Sequence, residues 1–374
     1  MGSSSSSNLK EKHVVIVGGG YAGVAAANQL RGKCKLTLID PKECMHHCVG
    51  SLRAVVEPGY AKKIFIPYEP AFGESFKRGT VTEIDVATKK VVLDNGEAIH
   101  YDYLIIATGT TGGFPGKLGL DMNDVPRAVD MYDDMLQKIK AAESIVVIGG
   151  GPVGVELAGE IKTDLADKQV TLIHSKPALI DGPFTESFRK STYDQLVALG
   201  VNVLLDQKVT NLSDLENAEW ARCTVETEKE NSIKADLVIL CVGMKTNTDA
   251  YENTLAENMD ERGCLIVNQF FQVNGHEIVF AIGDCSSADN EAKMAYKAAL
   301  HAKTVASNIQ NLADGMSLKA YKPPGPMMVV PIGRNGGVMQ FGSWVLGSFA
   351  ARIIKSKDLF TTRFWGEMRQ SVPV

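Results

Sequence analysis

The sequence contains no apolar run of about 18 residues, the length from which a membrane-spanning helix is usually recognised. Residues 3–12 are serine-rich and charged and lack the apolar core of a signal peptide, so we expect residues 1–12 to be disordered. Seven scattered cysteines do not form the pattern of a disulfide framework, which favours a reducing, cytosol-facing compartment. The net charge of −5 lacks the basic excess typical of nucleic-acid-binding proteins, and we expect no nucleic-acid partner.

A glycine-rich motif with the features of a dinucleotide-binding turn lies near the start of the chain. An apolar strand at His13–Val17 precedes Gly18-x-Gly20-x-x-Gly23, and a helix is predicted from Tyr21 to about Leu30. The first glycine permits a tight turn, the second lets a pyrophosphate approach the backbone, and the third lets helix and strand pack closely. The next strand ends at Asp40, where a carboxylate can bond to a ribose hydroxyl.

The same arrangement occurs a second time about 131 positions later. A strand at Ser144–Ile148 leads into Gly149-x-Gly151-x-x-Gly154 and a helix. The following strand ends in His174, Ser175 and Lys176, with no carboxylate. These side chains would accept a 2′-phosphate that a carboxylate would repel, so both NADH and NADPH are candidate reductants. The alternative is that these residues are simply solvated at a strand end.

Two dinucleotide motifs in one chain predict an α/β protein with two Rossmann-like domains and two bound dinucleotides. Later apolar strands end at Thr108-Gly109, at Gly243 and at Gly283-Asp284. The character of the sequence changes after Pro323, which predicts a small third domain. The predicted division is a disordered segment 1–12, a first domain of 13–117 and 236–315, a second domain of 118–235, and a C-terminal domain of 320–374.

Gly283-Asp284 after an apolar strand resembles the flavin-binding signature of the two-dinucleotide-binding-domain flavoproteins. More closely, the chain resembles the apoptosis-inducing-factor-like, mitochondrion-associated relatives of the type II NADH:quinone oxidoreductases. The segments that carry this resemblance are HVVIVGGG, LIIATGTTGGFPGK, IVVIGGGPVGVELAGEIKT, VTLIHS, LVILCVG, AIGDC, MAYKAALHA, AYKP and KSKDLF…MRQS. One departure is Ala22, where relatives often have glycine; alanine is small enough to keep the turn.

The resemblance implies an FAD-dependent NAD(P)H:quinone oxidoreductase. It implies FAD as cofactor, NADH or NADPH as reductant, and a lipid quinone of the ubiquinone or vitamin K type as acceptor. The antioxidant quinol would protect lipids from peroxidation. It also implies a myristoylated N-terminus at the cytoplasmic face of membranes (plasma membrane, lipid droplets, mitochondrial outer membrane) and in the cytosol. Two alternatives are a thiol-dependent peroxide or disulfide reductase and a nucleotide-sensing, apoptosis-related partner protein.

The resemblance assigns roles to individual residues. Asp284 would bond to the ribityl chain of FAD, Arg53 would contact its pyrophosphate, the Val81 backbone would meet adenine, and Lys117 would approach the flavin. The alternatives are that Arg53 is a solvated arginine, that Val81 is a strand core residue and that Lys117 is a surface lysine. The full set of predicted cofactor-binding residues is Gly18, Gly19, Gly20, Tyr21, Ala22, Gly23, Asp40, Arg53, Val81, Thr108, Gly109, Lys117, Gly149, Gly151, Gly154, His174, Lys176, Gly243, Gly283 and Asp284.

Glu156 is the main catalytic candidate, since it begins the second helix beside the predicted nicotinamide site. The alternative is that Glu156 only stabilises the helix by interacting with the helix dipole. His47 is expected near the flavin or a quinone channel, and Lys355 and Phe360 are expected at the quinone entrance.

The segment Cys44-Met-His-His-Cys48 has a C-x3-C spacing. Disulfide reductases of the superfamily use C-x4-C together with a late His…Glu pair, which we do not find. The same residues could bind zinc, but the sequence shows no second pair of ligands.

Two sequence features predict membrane attachment. Gly2 with Ser6 fits the myristoylation pattern, and one such chain needs a second signal for stable anchoring. The tail supplies apolar residues at helical spacing, flanked by an excess of basic residues. The apolar residues are Trp344, Val345, Leu346, Phe349, Ile353 and Ile354; the basic ones are Arg352, Lys355, Lys357, Arg363 and Arg369. The alternative is a helix packed on the body of the protein or in a homodimer interface.

Overall fold

The structure is a computed structural model that describes residues 8–119, 122–216, 223–288 and 292–373. Within these ranges no helix is both long and apolar enough to cross a membrane. Gly2 and Ser6 lie outside the described residues.

Strands and helices alternate along most of the chain, as expected for an α/β protein. The strands are β1 (His13–Val17), β2 (Lys35–Asp40), β3 (Cys44–His46), β4 (Phe65–Pro67), β5 (Phe76–Arg78), β6 (Val81–Asp85), β7 (Lys90–Leu93), β8 (Ala98–His100), β9 (Tyr103–Ile106), β10 (Thr110–Thr111), β11 (Ser144–Ile148), β12 (Gln169–Ile173), β13 (Val201–Leu204), β14 (Cys223–Glu226), β15 (Ser232–Ala235), β16 (Leu237–Leu240), β17 (Lys245–Thr246), β18 (Val279–Ala281), β19 (Met327–Ile332), β20 (Gly336–Phe341) and β21 (Trp344–Leu346). The helices are α1 (Tyr21–Leu30), α2 (Ser51–Ala54), α3 (Glu69–Phe72), α4 (Val125–Ala141), α5 (Pro152–Asp164), α6 (Glu186–Ala198), α7 (Leu212–Glu216), α8 (Ala295–Ala313), α9 (Ser348–Ala351) and α10 (Thr361–Glu367).

The first dinucleotide domain is built on a parallel sheet with strand order β18-β9-β1-β2-β5. Every residue of β9 is buried, because both faces of the sheet are covered. Alternate residues of the central strand point to different cores: Ile16 packs with α1 and α8, whereas Val15 packs with Ile84 and Val91 of the β6–β7 hairpin. This two-residue alternation fixes the register and places the carboxyl end of β1 at the first glycine turn.

The second dinucleotide domain repeats this plan with a parallel sheet of order β13-β12-β11-β16. Strand β16 pairs with β11 in register, so the second domain extends to residue 240. The predicted return to the first domain at residue 236 is therefore wrong. The short antiparallel pair of β10 and β17 joins the two domains where the chain crosses between them.

The C-terminal region forms an antiparallel sheet of β19, β20 and β21, followed by short helices. Helix α5 lies directly against β19, since a Cβ at Gly159 would lie 2.9 Å from the Cα of Ile332. The chain then returns to the first domain, where the indole of Trp365 donates a hydrogen bond to the carbonyl of Lys63 (2.9 Å). This region thus contacts both dinucleotide domains.

Two predicted local features are corrected. Residues 8–11 are not disordered, because Asn8–Glu11 forms a helical turn with Leu9 fully buried against the first domain. The tail residues Trp344–Leu346 form a strand at the sheet edge rather than part of a helix. A short apolar run fits the periodicity of a helix or of a strand, and pairing with β20 makes this run a strand.

Candidate functional site

The first glycine turn is held by hydrogen bonds on both sides. Gly18 has φ +103°, and a Cβ there would overlap the carbonyl oxygen of Ala107. The Gly18 N–H donates to the carbonyl of Ile39 (2.8 Å), and the Gly19 N–H donates to Oδ2 of Asp40 (2.7 Å). The predicted acidic residue is therefore buried at the end of β2 and bonded to the turn.

No contact within the protein requires a glycine at the middle position of the turn, Gly20. A Cβ at Gly23 would overlap the carbonyl of Gly18, but a Cβ at Gly20 would meet nothing within 4 Å. The Gly20 backbone faces open space at the N-terminus of α1, where free N–H groups attract phosphate. This open cradle fits a pyrophosphate lying close to the backbone.

The second turn repeats the first contact by contact. A Cβ at Gly149 would lie 2.6 Å from the carbonyl oxygen of Cys241, and a Cβ at Gly154 would overlap the carbonyl of Gly149. A Cβ at Gly151 would again meet nothing within 4 Å. The Gly149 N–H donates to Ile173 (2.9 Å) as Gly18 does to Ile39. The duplication seen in the sequence thus extends to the hydrogen bonds, and this turn fits a second pyrophosphate.

His174 occupies the place that Asp40 has in the first domain, and its ring is turned towards the second glycine turn. Its Nδ1 accepts a hydrogen bond from the Gly150 N–H (3.1 Å), and burial lowers the pKa of the imidazole. The ring is therefore neutral and carries no charge for a 2′-phosphate. Its Nε2 is buried with no hydrogen-bond partner among the described residues. Lys176 remains the charged group at this strand end, in an exposed pair with Asp181 (2.8 Å).

A polar cluster surrounds Asp284, which follows the last strand of the first domain. Oδ2 of Asp284 accepts from the hydroxyl of Thr110 (2.8 Å) and pairs with the ammonium of Lys117 (3.2 Å). Gly283 has φ +71°, and a Cβ there would lie 2.8 Å from the Cβ of Ala22 on α1. The late Gly-Asp motif and the first glycine turn, far apart in sequence, are therefore neighbours.

Four other predicted cofactor residues also lie near the turns or in strands beside them. Thr108 follows β9, and its hydroxyl donates to the carbonyl of Asn247 (2.8 Å), while Gly109 has φ +69°. Gly243 follows β16 with φ +83°. Val81 is buried at the start of β6, opposite Leu93.

Glu156 and Lys355, two of the predicted catalytic residues, form an ion pair. Nζ of Lys355 lies 2.8 Å from Oε1 of Glu156, and both side chains are largely buried. Burial raises the pKa of the Glu156 carboxyl, and the lysine opposes that rise. Lys355 lies in a five-residue π-helical segment, Arg352–Ser356, a geometry often found at functional sites.

His47 connects the first glycine turn with the C-terminal segment. Its Nδ1 accepts from the hydroxyl of Tyr21 (3.0 Å), the first residue of α1, and its Nε2–H donates to the carbonyl of Leu359 (2.9 Å). Burial lowers the pKa of His47 to about 4, so the ring is neutral. Leu359 and Phe360 both have positive φ (+53° and +62°), a strained conformation for bulky residues that is concentrated at functional sites.

The hydrogen bonds of Arg53 go to groups within the protein, and its predicted contact with a pyrophosphate stays a prediction. Its guanidinium is 1% exposed and forms two hydrogen bonds with Glu160 on α5, Nη2–Oε1 at 2.7 Å and Nε–Oε2 at 3.1 Å. It also donates to the carbonyls of Ser356 (2.7 Å) and Lys357 (2.9 Å). These partners use its donors within the protein.

Helix α5 carries a row of three acidic residues, of which only the first is predicted from the sequence as a site residue. Glu156, Glu160 and Asp164 are four residues apart and share one helix face. Each pairs with a base from another part of the chain: Lys355, Arg53 and Arg334 respectively. Arg334 also pairs with Glu57. The i, i+4, i+8 spacing of the acids was visible in the sequence, but their partners were not.

Both thiols of the Cys44–Cys48 segment are free. Burial raises the pKa of Cys44 to about 12 and also raises the pKa of Cys48. A thiolate is the reactive form, so these environments disfavour thiol chemistry. In the described part of the chain no group of three or more His, Cys, Asp or Glu residues is placed to hold a metal ion.

An exposed apolar patch lies on the C-terminal region. It consists of Phe341, Trp344, Leu346, Phe349, Ile353 and Ile354, with exposed fractions of 60%, 73%, 43%, 81%, 66% and 40%. Large exposed apolar side chains are unusual when they are contiguous and indicate contact with a partner or a membrane. Exposed Arg352 and Lys357 flank this C-terminal patch.

Comparison with known proteins agrees with this fold. A family model of pyridine nucleotide-disulphide oxidoreductases matches residues 12–303. Ferroptosis suppressor protein 1 of Homo sapiens is 43% identical over 375 residues, 100% of both chains. Apoptosis-inducing factor homolog B of Dictyostelium discoideum is 36% identical over 98% of this chain and 99% of its own. The sulfide:quinone oxidoreductase of Aquifex aeolicus has a similar fold, with a TM-score of 0.76 and 21% identity over 96% of this chain and 91% of that chain.

Proposed function

Because the chain belongs to the pyridine nucleotide-disulphide oxidoreductase family and is an FAD-dependent oxidoreductase, we propose that it is an NAD(P)H:quinone oxidoreductase. Its acceptors are membrane ubiquinone and quinones of the vitamin K type. The quinol product is an antioxidant that protects lipids from peroxidation and so suppresses ferroptosis. The names and full-length similarity of the ferroptosis suppressor relatives support the role in ferroptosis.

The first glycine turn and the Asp284 cluster hold FAD in this proposal. Gly20 leaves room for the pyrophosphate, Asp40 faces the ribose end of the turn, and Asp284 and Lys117 lie at the flavin end. Bound FAD supplies a ring that accepts a hydride from NAD(P)H and returns two electrons to the acceptor. The protein contributes binding, orientation and the exclusion of water.

The second turn holds NAD(P)H, with Lys176 at the ribose end of the site. Glu156 follows this turn on α5 and orients the nicotinamide. Lys355 keeps its carboxylate in one position and opposes the effect of burial on its charge. In the overall reaction NAD(P)H, one proton and the quinone give NAD(P)⁺ and the quinol, so the acceptor gains two electrons and two protons.

The main observation in support of a quinone acceptor is the set of contacts and exposed side chains of the C-terminal segment. Between residues 341 and 360 it presents the C-terminal patch, places Lys355 against Glu156, and brings the Leu359 carbonyl to His47. A lipid quinone needs an apolar surface that leads to the redox site. This segment supplies such a surface, and its neighbours reach both turns: Lys355 pairs with Glu156 after the second turn, and Leu359 bonds to His47, which bonds to Tyr21 after the first. In this proposal Phe360, next to Leu359, lines the quinone entrance.

The same patch supports a membrane location. Apolar side chains with exposed Arg352 and Lys357 beside them suit an anionic lipid surface. A myristoyl group on Gly2 would supply the second anchoring signal, and the protein would work at the cytoplasmic face of membranes and in the cytosol. A homodimer that covers the patch is the competing arrangement.

The test is NADH and NADPH oxidation by the flavin-loaded protein with a short-chain ubiquinone, a menadione-type quinone, a disulfide and hydrogen peroxide as acceptors. We expect turnover with the quinones and much slower turnover with the disulfide and the peroxide. Glu156→Ala should remove a large part of the quinone activity after correction for flavin content. Faster turnover with the disulfide or peroxide than with either quinone would refute the proposal.

A further inference from the structure

Arg53 is an almost fully buried charged side chain that the proposed reaction does not use. It reaches the C-terminal segment immediately after Lys355: Nη2 lies 2.7 Å from the carbonyl oxygen of Ser356, and Nη1 lies 2.9 Å from that of Lys357. Carbonyls at the end of a helical segment have no partner within the helix. Arg53 supplies the partners for two of them and so fixes the backbone that carries Lys355.

The other edge of the Arg53 guanidinium holds helix α5 in position through Glu160. Both carboxylate oxygens of Glu160 accept from Arg53, in the two-bond arrangement that gives arginine its directional precision. Glu160 lies one helical turn after Glu156. One planar group therefore sets the spacing between the backbone after Lys355 and the helix that carries Glu156.

Stability alone does not explain this pair. Arg53 and Glu160 have side chains that are each 1% exposed, and a buried ion pair often contributes no more stability than an apolar pair of similar volume. Its planar geometry, in contrast, restricts the relative position of three chain segments. Supporting groups of this kind are required wherever a reacting group must be held to within a fraction of an ångström.

We propose that Arg53 is a positioning residue that holds the Lys355 ammonium against Glu156 by clamping Glu160 on one side and the carbonyls of Ser356 and Lys357 on the other. This inference rests on the proposed function, in which Glu156 orients the nicotinamide. The charged groups that face Glu156 are Lys355, Glu160 and Arg53. Arg53 bonds directly to Glu160 and to the two carbonyls that follow Lys355, so in this proposal it acts on Glu156 through these groups.

Arg53→Lys is the main test variant, because lysine keeps the charge but cannot reach four acceptors with one planar group. We expect kcat with NADH and a short-chain ubiquinone to fall by about tenfold to a hundredfold, as small misplacements of a positioning group do. KM for NADH should stay within about twofold. The acid limb of the pH profile should move to higher pH, because a displaced Lys355 no longer lowers the pKa of Glu156.

A second readout does not depend on turnover. Amide hydrogen exchange in residues 352–360 of the full-length protein should be about tenfold faster in Arg53→Lys, which equals ~1.4 kcal/mol of local opening. If Arg53→Lys yields too little folded protein, the double variant Arg53→Met, Glu160→Leu replaces the ion pair by an apolar pair and gives the same two readouts.

Arg334→Lys is the matched control. Arg334 also bridges three segments, through Glu57 and Asp164, but it holds neither Lys355 nor its following carbonyls. We expect a lower Tm in this control with wild-type kcat, pH profile and exchange at 352–360. If both Arg53 variants behave as the control does, the residue is merely structural and the proposal fails. Wild-type turnover with quinone tests the proposed function separately, because the positioning role is judged only by the ratio of variant to wild type.

Discussion

Removing apolar side chains from the C-terminal patch should weaken binding to membranes. Phe349 and Ile353 are 81% and 66% exposed, so the folded protein leaves most of their apolar surface in water. Full burial of such a side chain contributes about 2 kcal/mol. Scaled by the two exposed fractions, this gives about 3 kcal/mol for the pair, or roughly a hundredfold in a partition constant. Phe349→Ala, Ile353→Ala should lose about this much affinity for vesicles.

The assay is co-sedimentation of the non-myristoylated protein with phosphatidylcholine vesicles that contain phosphatidylserine. Val197→Ala, Met316→Ala is the matched control, since these side chains are 46% and 52% exposed but lie outside the patch. The control should bind as the wild type does. Equal binding of the patch variant and the control would show that the patch does not contact lipid. If patch substitution instead turned a dimer into a monomer without changing vesicle binding, the patch would be a dimer interface.

Three further predictions concern the chemistry. Glu156→Gln should lower kcat with quinone by roughly a hundredfold, the effect of losing the charged group that orients the nicotinamide. In the wild type the acid limb of the pH–rate profile should lie above the range of an ordinary glutamate, because burial raises the pKa of Glu156. A limb at the ordinary value would contradict that assignment. NADPH should support turnover within about tenfold of NADH in kcat/KM, a difference of ~1.4 kcal/mol. Lys176→Glu should lower kcat/KM for NADPH selectively. Equal losses with both nucleotides would show that Lys176 does not bind the ribose end of the nucleotide. Cys44→Ser, Cys48→Ser should keep most of the NADH:quinone activity, because burial raises both thiol pKa values, whereas loss of turnover at wild-type flavin content would indicate thiol chemistry.

The parts of the fold that the sequence predicts best are the local ones. Strand His13–Val17 and helix Tyr21–Leu30 begin and end where the apolar run and the glycines indicate. A glycine turn is specified by residues adjacent in sequence, so both dinucleotide-binding turns were recognisable. The ion pair of Glu156 and Lys355 joins two residues that were predicted separately; the sequence contains nothing that pairs them.

Several features that the sequence does not predict depend on partners that are distant in sequence. Arg53 lies 107 positions from Glu160 and 303 from Ser356, and no local pattern distinguishes a buried arginine from one that contacts phosphate. His174 lies at the expected strand end, but its ring turns towards Gly150. Strand β16 is an apolar strand followed by a glycine, like the late strands of the first domain. Only its pairing with β11 assigns it to the second domain.

The acidic row of α5 has a consequence for how nucleotides exchange. Domains joined by polar surfaces commonly rotate against each other, but here a rotation would pull Arg53 away from Glu160. Breaking the two charge-assisted hydrogen bonds of this pair costs about 3 kcal/mol or more, so opened molecules would number roughly one in a hundred or fewer. Entry and exit of the nicotinamide dinucleotide are therefore expected to depend on the loops around the second turn rather than on a hinge, and the flavin should dissociate slowly.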